Sequence, residues 1–320
     1  NIPEKNKRLL MALPFMVIGG ADTILLQIMK HLNNFHISVI TTIPVDEKWG
    51  DNTPRYERIT KEVYHLYRFL KNEEEWKDFI FYLIESRKID IIFIVGCAYI
   101  YSLLPEIRKK YPSIKFVDQL FNEFGHIENN RKYAEYIDLN IVENLKVKEV
   151  LIEKYNEQKI KLIHNGVNLN YFSPDCRGKS VIYEDYGVPE NKFIISFFGR
   201  FAEEKGTDIF IEIVRSFKED ENIFFIMAGG GLLFDYIQAL IKKYDLDEKV
   251  ITPGFIDTKQ FLEVTDLIIV PSRLDGRPNI VLESLSMGIP VVASDVGGLP
   301  GTIKDGYNGF LCNSEDTLSF

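Results

Sequence analysis

The sequence predicts an α/β protein built from two Rossmann-like, doubly wound parallel-sheet domains that face each other across a cleft. Short apolar runs rich in β-branched residues alternate with segments of helical periodicity along the whole chain. Most of these runs are continuously apolar, which is typical of parallel strands covered on both faces. The alternation breaks once, over 165–185, and a length of 320 residues suits two domains.

The first half of the chain carries six strand predictions and three helix predictions. The strands are predicted at Arg8–Leu13, Ile37–Thr42, Ile89–Val95, Ile114–Val117, Leu139–Val142 and Ile160–Ile163. The helices are predicted at Ala21–Leu32, Trp76–Ser86 and Leu145–Tyr155. Apolar residues recur at helical spacing in these three segments, which would place them on one helix face. We assign residues 1–165 to one domain.

The second half repeats the pattern after a stretch rich in Gly, Asn, Pro and Asp, which we interpret as the linker. Its strands are predicted at Phe193–Phe198, Ile223–Ala228, Val250–Thr252, Leu267–Val270, Val291–Ser294 and Gly309–Leu311. Its helices are predicted at Thr207–Phe217, Leu232–Tyr244, Thr258–Val264 and Asn279–Ser286. We assign residues 166–320 to a second domain.

The ends of the chain suggest that it is part of a longer polypeptide. The sequence begins without Met, and its last four residues, 317–320, are predicted to start a helix. We therefore expect the second domain to be truncated at its C-terminal end.

Charge and cysteine content exclude several classes of protein. The net charge is −9; residues 1–160 hold 23 basic and 23 acidic residues, and residues 161–320 hold 15 and 24. Neither half offers the broad basic face of a protein that coats nucleic acid. The three cysteines are far apart, so we expect no zinc site, no disulfide framework and reduced cytoplasmic thiols. No apolar run spans a bilayer and no leader peptide is recognisable, although a position at the inner face of the membrane stays open.

Ligands of doubly wound domains bind at the carboxyl ends of the strands, so the residues that follow each strand are the candidates. Gly19 and Gly20 follow the first strand and lead into a helix. Backbone N–H groups at the start of a helix have no partner within it and can bind an anion, and glycine lets the anion approach closely. A tight turn without a ligand explains the pair equally well. The loop has neither the GxGxxG nor the Walker A pattern, so it indicates no NAD or ATP site.

Two cations follow the first strand of the second half. Arg200 and Lys205 stand in an otherwise acidic domain between Gly199 and Gly206, which suggests a local diphosphate clamp. The alternative is that they are surface cations paired with Glu203 and Glu204. Glycines at the end of the next strand again suggest a close backbone approach to a ligand, with a bare flexible turn as the alternative. These glycines are Gly229, Gly230 and Gly231.

A carboxylate pair follows the strand Leu267–Val270. Asp275 lies in the loop and Glu283 lies eight residues later, inside the following helix. A loop carboxylate can accept hydrogen bonds from sugar hydroxyls, and a helix carboxylate near free N–H groups suits ribose beside phosphate. The alternative is a turn aspartate and a solvated helix glutamate. Between them, the loop and helix start offer further candidate ligand contacts at Gly276, Arg277, Asn279 and Ile280.

These motifs together resemble the group 1 retaining glycosyltransferases of the GT-B fold, of the kind that builds bacterial cell-surface glycans. The resemblance rests on Gly199–Gly206, Ala228–Gly231 and Pro271–Ser294 with the following Gly297-Gly298, and it extends more loosely over Pro14–Cys312. That family carries an E-x7-E motif at the position of Asp275 and Glu283. Residues 164–168 look like its crossover into the second domain.

The resemblance implies a role for each of these residues. Arg200 and Lys205 would hold the donor diphosphate and stabilise the departing nucleotide, and Glu283 would bind its ribose. Asp275 stands where the family usually has Glu and would contact the donor sugar with a shorter side chain. Gly301 stands where an acidic residue is common in the family. The family also places a histidine of the first domain near the transferred sugar, and His126 is the best candidate here.

The expected activity is transfer of a sugar from a nucleotide-diphosphate-sugar donor to a glycan or lipid-linked hydroxyl, with retention and without a metal. The donor is a substrate, so we expect no cofactor. We expect Asn122 and Glu123 as secondary acceptor contacts, and peripheral membrane contact remains open. The alternatives are a sugar-nucleotide epimerase, a glycan phosphorylase, which would be longer and need pyridoxal phosphate, and a non-catalytic nucleotide-sugar-binding fragment.

Overall fold

The computed structural model describes residues 7–177 and 182–320 and divides the chain into two compact units, Asn1–His164 and Asn165–Phe320. Each unit is built on one sheet, and the strands of each sheet are all parallel to their neighbours. The two-domain Rossmann-like prediction of parallel sheets is therefore confirmed.

The first unit has a seven-stranded sheet. Its strands are β1 Lys7–Leu13, β2 Phe35–Thr41, β3 Val63–His65, β4 Ile91–Ile94, β5 Lys115–Leu120, β6 Leu139–Val142 and β7 Ile160–Leu162. The order across the sheet is β3-β2-β1-β4-β5-β6-β7. Strands β2 and β3 are added on one side of β1 and the later strands on its other side, so the order of strand addition switches between β1 and β4. That switch point is where doubly wound folds open a crevice for ligands at the carboxyl ends of the strands.

The helices of the first unit connect successive strands. They are α1 Gly20–His31, α2 Thr53–Glu57, α3 Leu66–Phe69, α4 Glu73–Arg87, α5 Ala98–Lys110, α6 Ile127–Lys132 and α7 Leu145–Ile152. Side-chain caps start two of these helices: Asn72 accepts from the N–H of Glu75 in α4, and Asn144 accepts from the N–H of Val147 in α7.

The second unit has a six-stranded sheet of the same type. Its strands are β8 Phe193–Phe198, β9 Ile223–Ala228, β10 Val250–Ile251, β11 Leu267–Val270, β12 Val291–Ser294 and β13 Gly309–Cys312. The order is β10-β9-β8-β11-β12-β13, with the switch point between β8 and β11. Its helices are α8 Ile182–Asp185, α9 Thr207–Ser216, α10 Phe234–Lys243, α11 Thr258–Leu262 and α12 Asn279–Ser286.

Apolar layers cover both faces of the first sheet. Leu10 and Ala12 of β1 pack into one buried cluster, and Leu9, Met11 and Leu13 pack into another. Because successive residues of a strand point to opposite faces, only a continuously apolar strand can fill both layers. The same pattern recurs in β8, whose Ile194 and Ile195 belong to different clusters.

The structure corrects several boundaries that the sequence predicted. The strand predicted at Ile114–Val117 is β5, which continues to Leu120 and makes Asp118 a fully buried strand residue. The three-residue strand β3 was missed, as were α2, α3, α5 and α6, because their apolar patterns are short or interrupted, as by Pro105 within α5. Residues 317–319 form a turn and not the predicted start of a helix.

Candidate active site

Three loops of the second unit meet at the carboxyl ends of β8, β11 and β12. A Cβ on Gly206 would lie 1.9 Å from the carbonyl oxygen of Pro271, and one on Gly297 would lie 1.6 Å from that of Asp275. Both glycines have positive φ, +63° and +54°, so backbone conformation and space both require glycine there. The switch point between β8 and β11 thus brings residues far apart in the sequence into one site.

Lys205 and Asp275 form an ion pair at this junction. Lys205 Nζ donates to Asp275 Oδ2 at 2.7 Å, and Ser272 Oγ donates to the same oxygen at 3.0 Å. The Asp275 side chain is only 8 % exposed and that of Lys205 is 22 % exposed. Two predicted site residues separated by 70 positions in the sequence are therefore in direct contact.

Arg200 has a more exposed carboxylate partner. Its Nη2 donates to Glu204 Oε1 at 3.1 Å, four residues along the same loop. This is one of the pairings that the surface-cation alternative predicts. Lys205 instead pairs with Asp275, so each cation of the predicted clamp faces one carboxylate in this structure.

The glycine loop after β9 packs against the loop after β8. A Cβ on Gly229 would lie 1.8 Å from the carbonyl oxygen of Gly199, and the N–H of Phe201 donates to the carbonyl of Gly230 at 2.9 Å. Gly229 also has a φ of +140°. Contact between the two loops is therefore a sufficient physical reason for Gly229, independent of any ligand.

The loop that leads into α12 is held by Asn165, which the sequence had not singled out as a site residue. Arg277 Nη1 donates to the carbonyl oxygen of Asn165 at 2.5 Å and to its Oδ1 at 3.0 Å. Asn165 Nδ2 in turn donates to Asn279 Oδ1 at 2.6 Å, and the N–H of Gly298 donates to the carbonyl of Gly276 at 2.7 Å. The predicted ligand loop 276–279 is thus already fixed in place.

Glu283 lies in α12 and is partly buried. Within the described parts of the chain its carboxylate has neither a hydrogen bond nor an ion pair, whereas Ile280, one turn earlier, packs on the apolar cluster beneath the helix. Burial, and to a smaller degree the negative charge of Asp257, raises the pKa of Glu283 to about 7. An unpartnered, half-buried carboxylate can accept hydrogen bonds from a ligand.

This raised pKa predicts a pH dependence of stability. Between pH 4.5 and about 7 the folded state binds a proton at Glu283 that the unfolded chain lacks, so Glu283 lowers stability as pH rises through that window. We expect Glu283→Gln to be more stable than wild type at pH 8, by roughly 1–3 kcal/mol, and to lose most of that advantage at pH 4.5. Urea unfolding at the two pH values measures this. Equal pH dependence in Glu283→Gln and wild type, or the same gain in the exposed Glu248→Gln, would contradict it.

In the first unit, Gly19 and Gly20 lie at the start of α1. Gly19 is extended, and a Cβ there would meet no atom within 4 Å, so neither backbone conformation nor space explains a glycine at this position. Beside this loop, Asp22 accepts a hydrogen bond from Tyr56 Oη at 2.9 Å, and burial raises its pKa to about 7. A ligand could therefore approach the backbone at Gly19 closely, in the loop beside the buried carboxyl group of Asp22.

His126 precedes α6, after the end of β5. Its ring lies against Gly96, which follows β4: a Cβ on Gly96 would lie 2.5 Å from His126 Cδ2. Burial lowers the pKa of His126, so the ring is neutral at neutral pH. In the same loop, the side chain of Glu123 is 9 % exposed, and Lys146 Nζ lies 3.8 Å from its Oε1. No residue within 7–177 and 182–320 forms a hydrogen bond with Glu123 Oε2.

No group of three or more His, Cys, Asp or Glu side chains that could hold a metal ion occurs in residues 7–177 and 182–320. The acidic triplet Asp245-Leu246-Asp247 follows α10; Asp245 pairs with Lys218 and Leu246 is buried. This triplet is therefore not part of such a group. Over the same described ranges, no helix is long and apolar enough to cross a membrane.

Comparison with known proteins identifies relatives for both units. The sequence model of the family described as "Glycosyl transferases group 1" matches residues 179–319, which supports the family expected from the motifs. An uncharacterized glycosyltransferase of Methanocaldococcus jannaschii is 31 % identical over 53 % of this chain and 45 % of its own length. The UDP-Gal:alpha-D-GlcNAc-diphosphoundecaprenol alpha-1,3-galactosyltransferase of Escherichia coli is 27 % identical over 54 % of this chain. The match covers 46 % of that enzyme, so the chain spans about half the length of these two relatives.

Solved structures share the fold over nearly the whole chain. An Anabaena protein in complex with UDP and glucose has a TM-score of 0.76 at 20 % identity, over 98 % of this chain and 87 % of its own. A glycosyltransferase from Rickettsia africae has a TM-score of 0.75 at 21 % identity, over 98 % and 86 %. Both support the GT-B type of two Rossmann-like domains.

Proposed function

We propose that this protein is a retaining group 1 glycosyltransferase that moves a sugar from a nucleotide-diphosphate-sugar donor to a hydroxyl of a glycan or lipid-linked acceptor. The observation that carries the proposal is the Lys205–Asp275 ion pair beside Arg200, at the switch point of the sheet within the family-matched region. Two cations suit the charge of a diphosphate, and a buried carboxylate can accept hydrogen bonds from sugar hydroxyls.

The donor diphosphate binds to Arg200 and Lys205 in this proposal. Each cation already faces one carboxylate, at 3.1 and 2.7 Å, so on binding the phosphates share Arg200 with Glu204 and Lys205 with Asp275. The cations then face charge that grows on the leaving diphosphate as the sugar departs, which is the electrostatic stabilisation that lowers the barrier. The carboxylates of Glu204 and Asp275 also lower the affinity of the two cations for free phosphate.

Glu283 and Asp275 hold the two sugar rings of the donor. The Glu283 carboxylate, which has no hydrogen-bond or ion-pair partner among the residues that the structure describes, accepts from the ribose hydroxyls. The start of α12 directs N–H groups at the phosphates. Asp275, fixed by Lys205 and Ser272, accepts from hydroxyls of the transferred sugar. The donor also contacts the main chain of the glycine loops, at Gly199, Gly229, Gly230 and Gly276.

The reaction proceeds by front-face displacement. The bond between the sugar anomeric carbon and the diphosphate oxygen breaks as the acceptor oxygen approaches from the same face. The acceptor proton passes to the departing phosphate oxygen, so no covalent sugar-enzyme intermediate forms. Positioning and the two cations supply the catalysis, without a metal. Neutral His126, with Asn122 and Glu123 on its loop, binds the hydroxyls at the acceptor side.

The place of His126 predicts the effect of Gly96→Ala. The new methyl group would enter the volume of the imidazole, 2.5 Å from Cδ2, so we expect transfer to fall at least tenfold while donor binding in the second unit stays unchanged. Gly50→Ala is the matched control: its φ is also positive, at +72°, but the three atoms nearest its Cβ belong to the side chain of Ile18. Comparable losses of transfer in both variants, after correction for folded protein, would remove the role of His126.

The chain acts at the cytoplasmic side, and its lipid-linked acceptors would bring it to the inner face of the membrane. Turnover of a panel of UDP-, GDP-, ADP- and dTDP-sugars, with EDTA present, tests the activity. The anomeric coupling of the product by NMR reads the stereochemistry. We expect slow donor hydrolysis with one nucleotide, and transfer with retention once an acceptor is supplied. Conversion of the donor to a second sugar nucleotide would favour an epimerase, and binding without turnover would favour a non-catalytic fragment.

A further inference from the structure

Arg273 lies in the loop after β11, and its guanidinium is fully engaged. Nη1 and Nη2 donate to the two carboxylate oxygens of Asp208, in the first turn of α9, at 2.8 Å each. Nε and Nη2 donate to the carboxylate of Glu315, at 2.5 and 3.1 Å. A bidentate fork is the strongest and most directional geometry of an arginine–carboxylate pair. The Arg273 guanidinium also holds the pKa of Asp208 below its usual range.

The same residue binds the main chain of the turn that carries Lys205. Arg273 Nη1 donates to the carbonyl oxygen of Glu203 at 2.9 Å. The backbone N–H groups of Arg273 and Leu274 donate to the carbonyl oxygen of Glu204, at 2.9 and 3.1 Å. The 3₁₀ turn Glu203–Lys205 is therefore tied to the β11 loop through both backbone and side chain.

These bonds fix the relative position of the two halves of the proposed donor site. Lys205 ends the tied turn, and Asp275 lies two residues beyond Arg273 in the loop to which the turn is tied. The turn also carries Glu204, the partner of Arg200. The hydrogen bonds of Arg273 go to Asp208, Glu315 and the turn's main chain, from which these side chains extend.

We infer that Arg273 is a positioning residue of the donor site: through its side-chain bonds to Asp208, Glu315 and the carbonyl of Glu203, it holds the turn that carries Lys205 against the loop that carries Asp275. The inference rests on the proposed function, because it assigns Arg273 to the site that binds the donor diphosphate. Loss of these bonds leaves the proposed ribose contact of Glu283 in α12 intact and loosens the phosphate contacts of Arg200 and Lys205. The signature is therefore a loss of affinity for a nucleoside diphosphate without a loss for the nucleoside.

A matched arginine elsewhere in the second unit provides the control. Arg177 Nη2 donates to the carbonyl oxygen of Thr265 at 2.8 Å and to Asp266 Oδ1 at 3.1 Å. This arginine also ties a backbone carbonyl and a carboxylate in a partly buried setting, but it holds none of the proposed donor-site residues. A general loss of stability from breaking such a clasp appears in both arginine variants.

The test is calorimetric titration of wild type, Arg273→Gln, Arg273→Lys and Arg177→Gln with four pairs of ligands: UDP against uridine, GDP against guanosine, ADP against adenosine and dTDP against thymidine. For the nucleotide that wild type binds, we expect Arg273→Gln to weaken diphosphate affinity about tenfold, 1.4 kcal/mol, and to leave nucleoside affinity unchanged. Arg273→Lys, which keeps the charge but lacks the fork, recovers only part of the loss. Arg177→Gln binds both ligands as wild type does.

The outcomes of this titration separate the two proposals. No diphosphate binding by wild type overturns the proposed function itself. Wild-type binding with an unchanged diphosphate-to-nucleoside ratio in Arg273→Gln overturns the positioning role alone, as does an equal loss in Arg177→Gln. If Arg273→Gln does not fold, Asp208→Asn removes the bidentate partner and is titrated in its place; an unchanged ratio there overturns the inference as well.

Discussion

Replacement of Lys205 with methionine is expected to lower the rate of sugar transfer by about 10²–10³-fold, the usual cost of removing one preorganised group from the charge that develops in a transition state. Methionine keeps much of the length and apolar stem of the side chain but cannot donate to a phosphate. It also leaves the carboxylate of Asp275 without its cation, held only by Ser272. The measurement is kcat and KM for the donor that wild type turns over.

Lys259 supplies the matched control for this substitution. It pairs with Glu263 at 2.5 Å, and the two side chains are 20 % and 10 % exposed, close to the 22 % and 8 % of Lys205 and Asp275. Breaking either pair leaves a partly buried carboxylate, so both variants lose similar stability. Only Lys205→Met is expected to lose catalysis. An equal loss of kcat in Lys259→Met would assign the effect to stability, and an unaffected Lys205→Met would remove Lys205 from the site.

Gly297→Ala is expected to destabilise the protein by about 4 kcal/mol, at the extreme of single substitutions. The added Cβ would lie 1.6 Å from the carbonyl oxygen of Asp275, and this neighbour is backbone that cannot rotate away. Relief of the clash would pull apart the loops that meet at Asp275 and break the hydrogen bonds from Gly298 N–H to the carbonyls of Asp275 and Gly276. Donor binding would be lost with them.

Gly288→Ala separates this clash from backbone strain. Its φ of +72° is as unfavourable for alanine as the +54° of Gly297, but a Cβ there would meet nothing within 4 Å. We expect it to cost about 1–2 kcal/mol, the price of left-handed backbone alone. Urea denaturation of both variants gives the free energies of unfolding. Equal values for the two alanine variants would refute the close approach of the loops at Asp275.

The fold was predictable because the parallel sheets need strands that are apolar on both faces. Leu9 to Leu13 fill two core layers at once, and such runs are visible in the sequence. The strand Val63–His65 was missed because three residues carry too little pattern. The extension of β5 was missed because Asp118 reads as a polar loop residue, although it lies buried and accepts hydrogen bonds from Tyr101 and Asn130.

The candidate site was predictable only in part. Lys205, Asp275 and Glu283 follow strand ends in the sequence, and the family resemblance points to them. The network of Arg273 was not foreseen, because its partners lie 42 to 70 positions away and only the packed sheet brings them together. The contact of Asn165 with Arg277, 112 positions away, was not predicted for the same reason.

The measurement closest to the central claim is hydrogen–deuterium exchange of wild type with and without the nucleoside diphosphate that it binds. Slower exchange is expected in three segments of the second unit: 199–206, 272–276 and the start of α12. Lys205→Met is expected to weaken that protection at the same nucleotide concentration. Binding accompanied by protection only in the first unit, or in the second unit away from these loops, would contradict a donor site at the carboxyl ends of β8 and β11.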